Sequence, residues 1–575
     1  MADGITFTSA QRALIEASGS TYVEACPGAG KTQCIVERFM RRATETRRRG
    51  VGLISFTNAV VEEARSRCAG QTELLTSPNF VGTIDSFINR LLVGPVLNSE
   101  RRRVHVFRSS WKHVAGSVVT ARNVPASAQL DWFVFTLDGQ ATLDVSRVPP
   151  EARSLLRSLE RWKVTKLQDA AGQQWRRNIE RGVLDANAAR LYLVKYLQAD
   201  SSRAHLLDLM SSRFHEVIVD EVQDCSREDA ALLQLLIDAE VPLILVGDPQ
   251  QAIYGFRGGG ATGLARVIAT ITPGTRLDGN FRSSPAICTA VDSFRSSTLK
   301  DEAVGRRRNV AHPVRLLRYD QPSKARSQIA AALTEHDLKQ DDLVVLAHAS
   351  TTARACAGAG NGGGAAGTSR LVALAVVIHV IHDEAASARA RTDALTGLES
   401  LLHQTTPDEL QSLAFNEYLD TIGVSPRAYR EQSLRLAMSA PPPYGDKPSV
   451  FKDAITAGMT AQKKVEWGST VLRTPNGDRW ASRPSTNEGA DSHSTIHGFK
   501  GLQAAAVALI IPKRIAGMPA NEDGLSQWAA GQAGDARNVL YVGASRAEQL
   551  LIIAAHESVY HEVKANLDRD NVTYR

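Results

Sequence analysis

The run Tyr22-Val-Glu-Ala-Cys-Pro-Gly-Ala-Gly-Lys-Thr32 decides the fold. A short, largely apolar strand over 22–25 passes into the loop CPGAG, and Lys31-Thr32 then open a helical pattern through Ile35, Val36 and Phe39. Strand, glycine loop, helix is the frame of a phosphate-binding loop, here with Ala25 where the simplest pattern has glycine. Across Ala25, Cys26, Pro27, Gly28, Ala29 and Gly30, the glycines let backbone N–H groups turn inward. With the helix N-terminus, those groups surround a β-phosphate. Lys31 supplies a point charge to the β- and γ-phosphates, and the Thr32 hydroxyl is a ligand for Mg²⁺. Such a loop can arise by chance in a glycine-rich chain, but the flanking strand and helix argue against that.

A phosphate loop needs a metal-holding carboxylate at the end of another strand. Val217-Ile-Val-Asp220-Glu221 provides one. Asp220 is placed to hold Mg²⁺ through water, and Glu221 to orient and deprotonate an attacking water. Further apolar, β-branched runs at 51–56, 241–246, 343–346, 507–511 and 550–554 alternate with amphipathic stretches such as 58–67 and 228–236. That rhythm predicts an α/β fold with parallel sheets covered by helices. Two regions break it, 96–204 and 351–490, and read as mainly helical insertions. The 189 residues from Lys31 to Asp220 fit the first of them. The glycine-rich patch at 358–367 reads as a flexible linker, because no strand or GKT-like ending frames it.

At 575 residues the chain is several times the usual domain length, which excludes a lone binding module. Lys+Arg at 67 against Asp+Glu at 61 leaves +6, compatible with a basic groove but not with a histone-like tail. Lysine occurs 15 times and arginine 52; both phosphate recognition and GC-rich coding account for that bias. Six scattered cysteines show no CxxC pair and so neither a zinc site nor a disulfide framework. The first residues lack a signal-peptide pattern and the longest apolar stretch is too short to span a membrane, so the expectation is a cytoplasmic protein without membrane contact.

The order of motifs resembles superfamily 1A DNA helicases of the UvrD/Rep/PcrA type. The resemblance rests on Gln11 in FTSAQRALIEA, on Leu53-Ile-Ser-Phe-Thr57-Asn58, on Gly82-Thr83-Ile-Asp85 and on Ile218-Val-Asp-Glu-Val-Gln-Asp224. It continues in Gly247-Asp-Pro-Gln-Gln251-Ala-Ile-Tyr254-Gly-Phe256-Arg-Gly, the most specific signature, and in Asn280-Phe281-Arg282-Ser283. It ends with Ser494-Thr-Ile-His497-Gly-Phe-Lys500-Gly-Leu-Gln503 and Tyr541-Val-Gly-Ala-Ser-Arg546-Ala547. It implies two RecA-like parallel-sheet cores: 1–95 with 205–278, and 279–350 with 491–575. The insertions would occupy 96–204 and 351–490.

The resemblance also implies roles. Gln11 reads adenine, Phe281 stacks on it, and Gln503 stands where the family has a glutamate at the nucleotide sugar. Gln251 senses the γ-phosphate, while Arg282 and Arg546 reach across from the second core to neutralise transition-state charge. Phe56, Thr57, Asn58, Thr83, Tyr254, Phe256, His497 and Lys500 line the strand's path. Asp85 replaces a histidine, placing a carboxylate near an anionic strand and weakening that contact. The arginine clusters at 47–49, 101–103 and 306–308 read as solvated faces, or as duplex contacts where they adjoin the first insertion.

The function implied is an ATP- and Mg²⁺-dependent helicase or translocase on single-stranded or tailed DNA, moving 3′ to 5′, in DNA repair or anti-phage defence. The alternative is a DNA-end-sensing NTPase subunit that regulates a partner nuclease, as in compact relatives from Gabija-type antiviral systems. No nuclease motif is recognisable in the chain itself. The residues alone do not distinguish a DNA from an RNA track.

Overall fold

The computed structural model describes residues 6–45, 48–101, 105–108, 111, 114, 117–148, 156–253, 260–310, 314–358, 370–383, 388–403, 405–406, 415–441, 448–461, 472, 492–514 and 522–575. Residues 359–367 of the glycine-rich patch, and Tyr254 and Phe256, lie outside them. The chain divides into two compact units. One contains residues 1–103, 189–360 and 489–575, and the other contains 104–188 and 361–488.

In the first unit the apolar runs become two parallel sheets. Strands β1 (Thr21–Glu24), β2 (Gly50–Ser55), β3 (Phe80–Thr83), β4 (Phe214–Val219), β5 (Leu243–Gly247) and β6 (Thr272–Pro273) pair in the order β6-β1-β5-β4-β2-β3. All pairs are parallel. Every residue of β2 and β5 is buried, as expected of central strands covered on both faces. Because the strands are parallel, their C-terminal ends share one edge. There the chain turns at Ala25, Phe56, Thr83, Asp220 and Asp248, the position at which open α/β sheets bind ligands.

Helices α1 (Ser9–Glu16) and α2 (Lys31–Glu45) cover this sheet, with Ile35 and Phe39 packed among Leu53, Ile218 and Val246. Beneath them Arg38 is fully buried and its fork is completely used. Nε donates to Glu216 Oε1 at 2.8 Å, and the terminal nitrogens donate to the carbonyls of Leu14, Ile15 and Ala17. This pair ties α1 and α2 to β4. Arg38→Ala is expected to lower the unfolding free energy by about 3 kcal/mol in a urea titration, since it leaves a buried carboxylate and three carbonyls short of a donor. Arg42, 3.8 Å from Glu216, offsets only part of that.

The second sheet comprises β7 (Arg315–Tyr319), β8 (Leu343–Ala347), β9 (Ser492–Thr495), β10 (Ala504–Ile511) and β11 (Ala547–His556), ordered β7-β11-β10-β8-β9 and again parallel. Its strands alternate between two cores. Leu346, Val507, Leu509, Leu551 and Ile553 join Trp528 and Tyr541 on one face, whereas Val345, Ala508, Ile510, Leu550 and Ile552 join Ile329 on the other. One short parallel pair, Gly279–Asn280 with Glu302–Ala303, follows the first sheet.

The second unit is mainly helical from residue 161 onward. Leu371, Leu374, Ala375 and Ile378 form one stripe of the helix Arg370–His382, and they share a core with Leu398, Tyr418, Leu436 and Ile455. The stretch before residue 161 carries short strand pairs, 118–119 with 128–129 and 133–135 with 141–143. Phe135 stacks on Trp175 of the helix Arg161–Glu180. The span 96–204 therefore enters this unit only over 104–188. Its flanking helices stay with the first unit, where the Tyr196 hydroxyl donates to Glu100 at 3.0 Å.

Candidate nucleotide-binding site

A cleft of about 440 Å³ lies in the first unit, lined by the loop after β1, the acidic end of β4 and residues from both sheets. Gly28 and Gly30 have φ of +73° and +74°. A Cβ on Gly28 would stand 2.6 Å from the Arg282 Cβ, and one on Gly30 would stand 2.9 Å from the Gln11 amide nitrogen. Only glycine combines that backbone conformation with such close approach. Cys26 N donates to the Leu277 carbonyl, and Phe281 N donates to the Gly28 carbonyl. The loop is thus anchored to the chain that leads to the second sheet, and α2 begins at Lys31.

Lys31 Nζ lies 3.7 Å from Glu221 Oε1. Asp220 is 1% exposed, and its Oδ1 has no hydrogen-bond partner among the described residues. Burial, then the adjacent Glu221, push its carboxyl up to about 7. The unpartnered Asp220 oxygen and the Thr32 hydroxyl line the same cleft, and such hard-oxygen donors fit Mg²⁺, which is typically held by one or two carboxylates plus phosphates. Glu221 is a non-glycine residue with φ of +53°, a conformation that persists only when its surroundings enforce it. Burial alone would raise its carboxyl, but Lys31 first, and then Lys500 and the Gln223 amide, hold it below the usual range. One acid is therefore left ionised and the other holds a buried oxygen without a donor among the described residues.

Two arginines face the loop: Arg546, immediately before β11 of the second sheet, and Arg282, just after the short strand Gly279–Asn280. Arg546 is 2% exposed; its Nη2 donates to Gln251 Oε1 at 3.0 Å and to Ser545 Oγ at 2.7 Å. Arg282 donates from Nε to Gln503 Oε1 at 2.8 Å and from Nη1 to the Ser545 carbonyl at 2.9 Å. Burial lowers the proton affinity of both, and in Arg546 the neighbouring Arg282 adds to it. Neither has an ion pair with a carboxylate among the described residues. A buried cation and a part-buried one facing a phosphate loop form a site that an anion relieves.

Gln251 stands between the two sheets. Its Nε2 donates to Asp248 Oδ2 at 2.8 Å, and the Tyr541 hydroxyl donates to that same oxygen at 2.9 Å. Tyr541 and Arg546 thus grip the Asp248–Gln251 segment at two points. Arg295 Nη2 backs this contact by donating to the Tyr541 oxygen at 3.0 Å. Asn538 Nδ2 donates to the Ala252 carbonyl at 2.9 Å, and His497 Nε2 lies 3.2 Å from that of Ile253.

The other sequence-selected residues distribute unevenly. Phe281, Thr57, Lys500 and Gln503 line the same cleft, whereas Ala25 and Cys26 are buried behind it. Gln11 is 3% exposed, and its amide is already engaged: Nε2 donates to the Ala29 carbonyl and Oε1 accepts from Thr8 N, both at 2.9 Å. Lys500, read from the sequence as a strand contact, gives its ammonium to both oxygens of Asp224 and to the Gln251 carbonyl. Thr83 caps the helix Ile84–Phe87 through its hydroxyl. Phe56 is half-buried, the Asn58 side chain lies outside the described residues, and His497 packs edge-on against His348. Asp248, Tyr541, Arg307 and Glu548 were not selected. Asp248 and Tyr541 fall within quoted motifs, but nothing local showed that they would meet; the Arg307–Glu548 ion pair bordering the cleft likewise joins distant segments.

Glycine loop, acidic strand end and opposed arginines define a cleft able to hold a nucleoside polyphosphate with Mg²⁺. Residues 7–271 match the family model of the UvrD/REP helicase N-terminal domain. The chain is 35% identical over 119 residues to the RecB subunit of the RecBCD enzyme of Mycobacterium tuberculosis, covering 21% of this chain and 10% of that protein. It is 32% identical over 96 residues to DNA helicase II of Escherichia coli, covering 16% and 13%. With YjcD of Bacillus subtilis it shares 25% identity over 301 residues, 50% of this chain and 37% of that protein. Over residues 7–271, just under half of its length, the chain is similar to the UvrD-like superfamily 1 helicases. These matches span between about a tenth and just over a third of each relative's own length. No helix among the described residues is long and apolar enough to cross a membrane.

Proposed function

We propose that the chain is an ATP-hydrolysing DNA helicase or translocase that moves on single-stranded DNA, 3′ to 5′, in repair or anti-phage defence. The observation that carries this reading is the meeting of Lys31, Asp220, Glu221 and Gln251 with Arg282 and Arg546 in one cleft. The loop amides and Lys31 hold the β- and γ-phosphates, with Phe281 against the base. Thr32 and Asp220 hold Mg²⁺, which when bound neutralises charge on the phosphates. Glu221, kept ionised by Lys31, accepts a proton from water as its oxygen attacks the γ-phosphorus, and the bond to the ADP oxygen breaks. Arg282 and Arg546 stabilise the charge that develops.

Gln251 accepts from Arg546 and donates to Asp248, which also accepts from Tyr541, so occupancy at the γ-phosphate bears on contacts between the two sheets. Closure on ATP and opening on product release supply alternating grips on a strand running past β2, β3 and the His497 segment. Domain assignment follows the same reading, with one core carried by the first sheet and the other by the second. A second reading is favoured by the RecB relative, by name a subunit of a larger enzyme: a DNA-end-sensing NTPase that regulates a partner nuclease.

ATP hydrolysis and strand separation measured on single-stranded, 3′-tailed, 5′-tailed and blunt DNA separate these readings. The helicase predicts unwinding of the 3′-tailed duplex. Hydrolysis stimulated by ends without strand separation favours the sensor.

A further inference from the structure

Asp85 sits in the first turn of the helix Ile84–Phe87, two residues past Thr83 at the end of β3, and its side chain is 42% exposed. A bare carboxylate there repels a phosphodiester strand. The structure shows that it is not bare. From the helix Ala186–Gln198, Arg190 brings Nη1 to 2.7 Å of Asp85 Oδ1. The same guanidinium is held from behind, since its Nε donates to Asp229 Oδ1 at 2.8 Å. Asp229 is itself fixed, because its other oxygen accepts from Ser226 N in the capping box that opens the helix Arg227–Asp238. Burial disfavours the Arg190 charge, but Asp229 and then Asp85 more than offset it, so it stays a cation. A guanidinium hydrogen-bonded to one carboxylate and in ion-pair contact with a second is an arrangement that lysine's single ammonium does not reproduce.

We propose that Arg190 masks the Asp85 carboxylate and so keeps the segment around Thr83 open to a DNA phosphate backbone. Arg190 is thus a positioning residue for strand binding, an inference that rests on the helicase reading above. It also accounts for how an acidic residue is accommodated where the family resemblance leads one to expect histidine.

The test is binding of a fluorescent oligothymidylate, followed by anisotropy at low and moderate salt. R190Q should weaken binding roughly five- to tenfold at low salt, the scale of one like-charge contact near water, and the deficit should shrink as salt screens it. Adding D85N to R190Q should restore binding to near the parent level, whereas a purely structural loss would not be repaired by removing a charge. R190K, with one donor centre for two carboxylates, should fall between, and it serves with D85N if R190Q does not fold. Binding by R190Q equal to the parent, or a double variant as weak as R190Q, overturns the proposal. A parent that binds no oligonucleotide overturns the helicase reading, and this inference with it; a parent that binds as R190Q does overturns only the masking.

Discussion

Replacing Arg546 by alanine is expected to lower the DNA-stimulated turnover number for ATP by about 10³-fold or more, with KM for ATP changed far less. The expectation follows from burial. Arg546 is a desolvated cation whose side chain, among the described residues, donates only to the Val542 carbonyl, its neighbour Ser545 and Gln251, so little of its charge is spent in the resting protein. An interaction held in reserve and realised as charge develops on the γ-phosphate lowers the barrier without tightening ground-state binding. Arg546→Lys should recover little, because an ammonium cannot hold Gln251 and reach an equatorial phosphate oxygen together. Single-turnover hydrolysis with excess enzyme gives the chemical step directly. An R546A rate within a few-fold of the parent would show that the arginine is structural.

Glu221→Gln is the second large effect, a loss of roughly 10²- to 10⁴-fold in hydrolysis with nucleotide binding retained. Glutamine keeps the shape and can keep the bond from the Gln223 amide. It cannot take a proton from water, and it loses the charge that Lys31 stabilises at 3.7 Å. Filter binding of radiolabelled ATP alongside the ATPase assay separates these effects. Intact binding with lost turnover supports the base, and lost binding means that the substitution disturbed the loop. The left-handed backbone of Glu221 is shared by parent and variant, so strain does not confound the comparison.

What the sequence disclosed tracks how local the information is. The phosphate loop, the Val217-Ile-Val-Asp220-Glu221 strand end and the Gly247-Asp248-Pro-Gln-Gln251 turn are written in consecutive residues, because glycine φ freedom and strand hydrophobicity are local properties. The strand runs were legible for the same reason, and the two-faced burial of β2 and β5 explains their unbroken apolar character. Side-chain destinations were not legible where the partner is remote. The resemblance puts Lys500 on the strand's path, and nothing near it in sequence announces that its ammonium is taken by Asp224, 276 residues away. Asp85 looked like an uncompensated charge because nothing near it in sequence announces Arg190. Gln11 drew attention as a base reader; its Oε1 closes a local capping box with Thr8, but only the folded chain shows its Nε2 bound to the Ala29 carbonyl. Apart from that cap, each of these groups met its partner through tertiary structure, which residue spacing does not encode.

The central claim is that one cleft, built from both sheets, hydrolyses ATP in response to a bound single strand. Steady-state ATP hydrolysis by the purified chain, with Mg²⁺ and with or without single-stranded DNA, tests it most directly. The account predicts Mg²⁺-dependent hydrolysis that rises at least tenfold on adding the strand and is abolished in Lys31→Ala. Hydrolysis indifferent to DNA, or unchanged by Lys31→Ala, would contradict it.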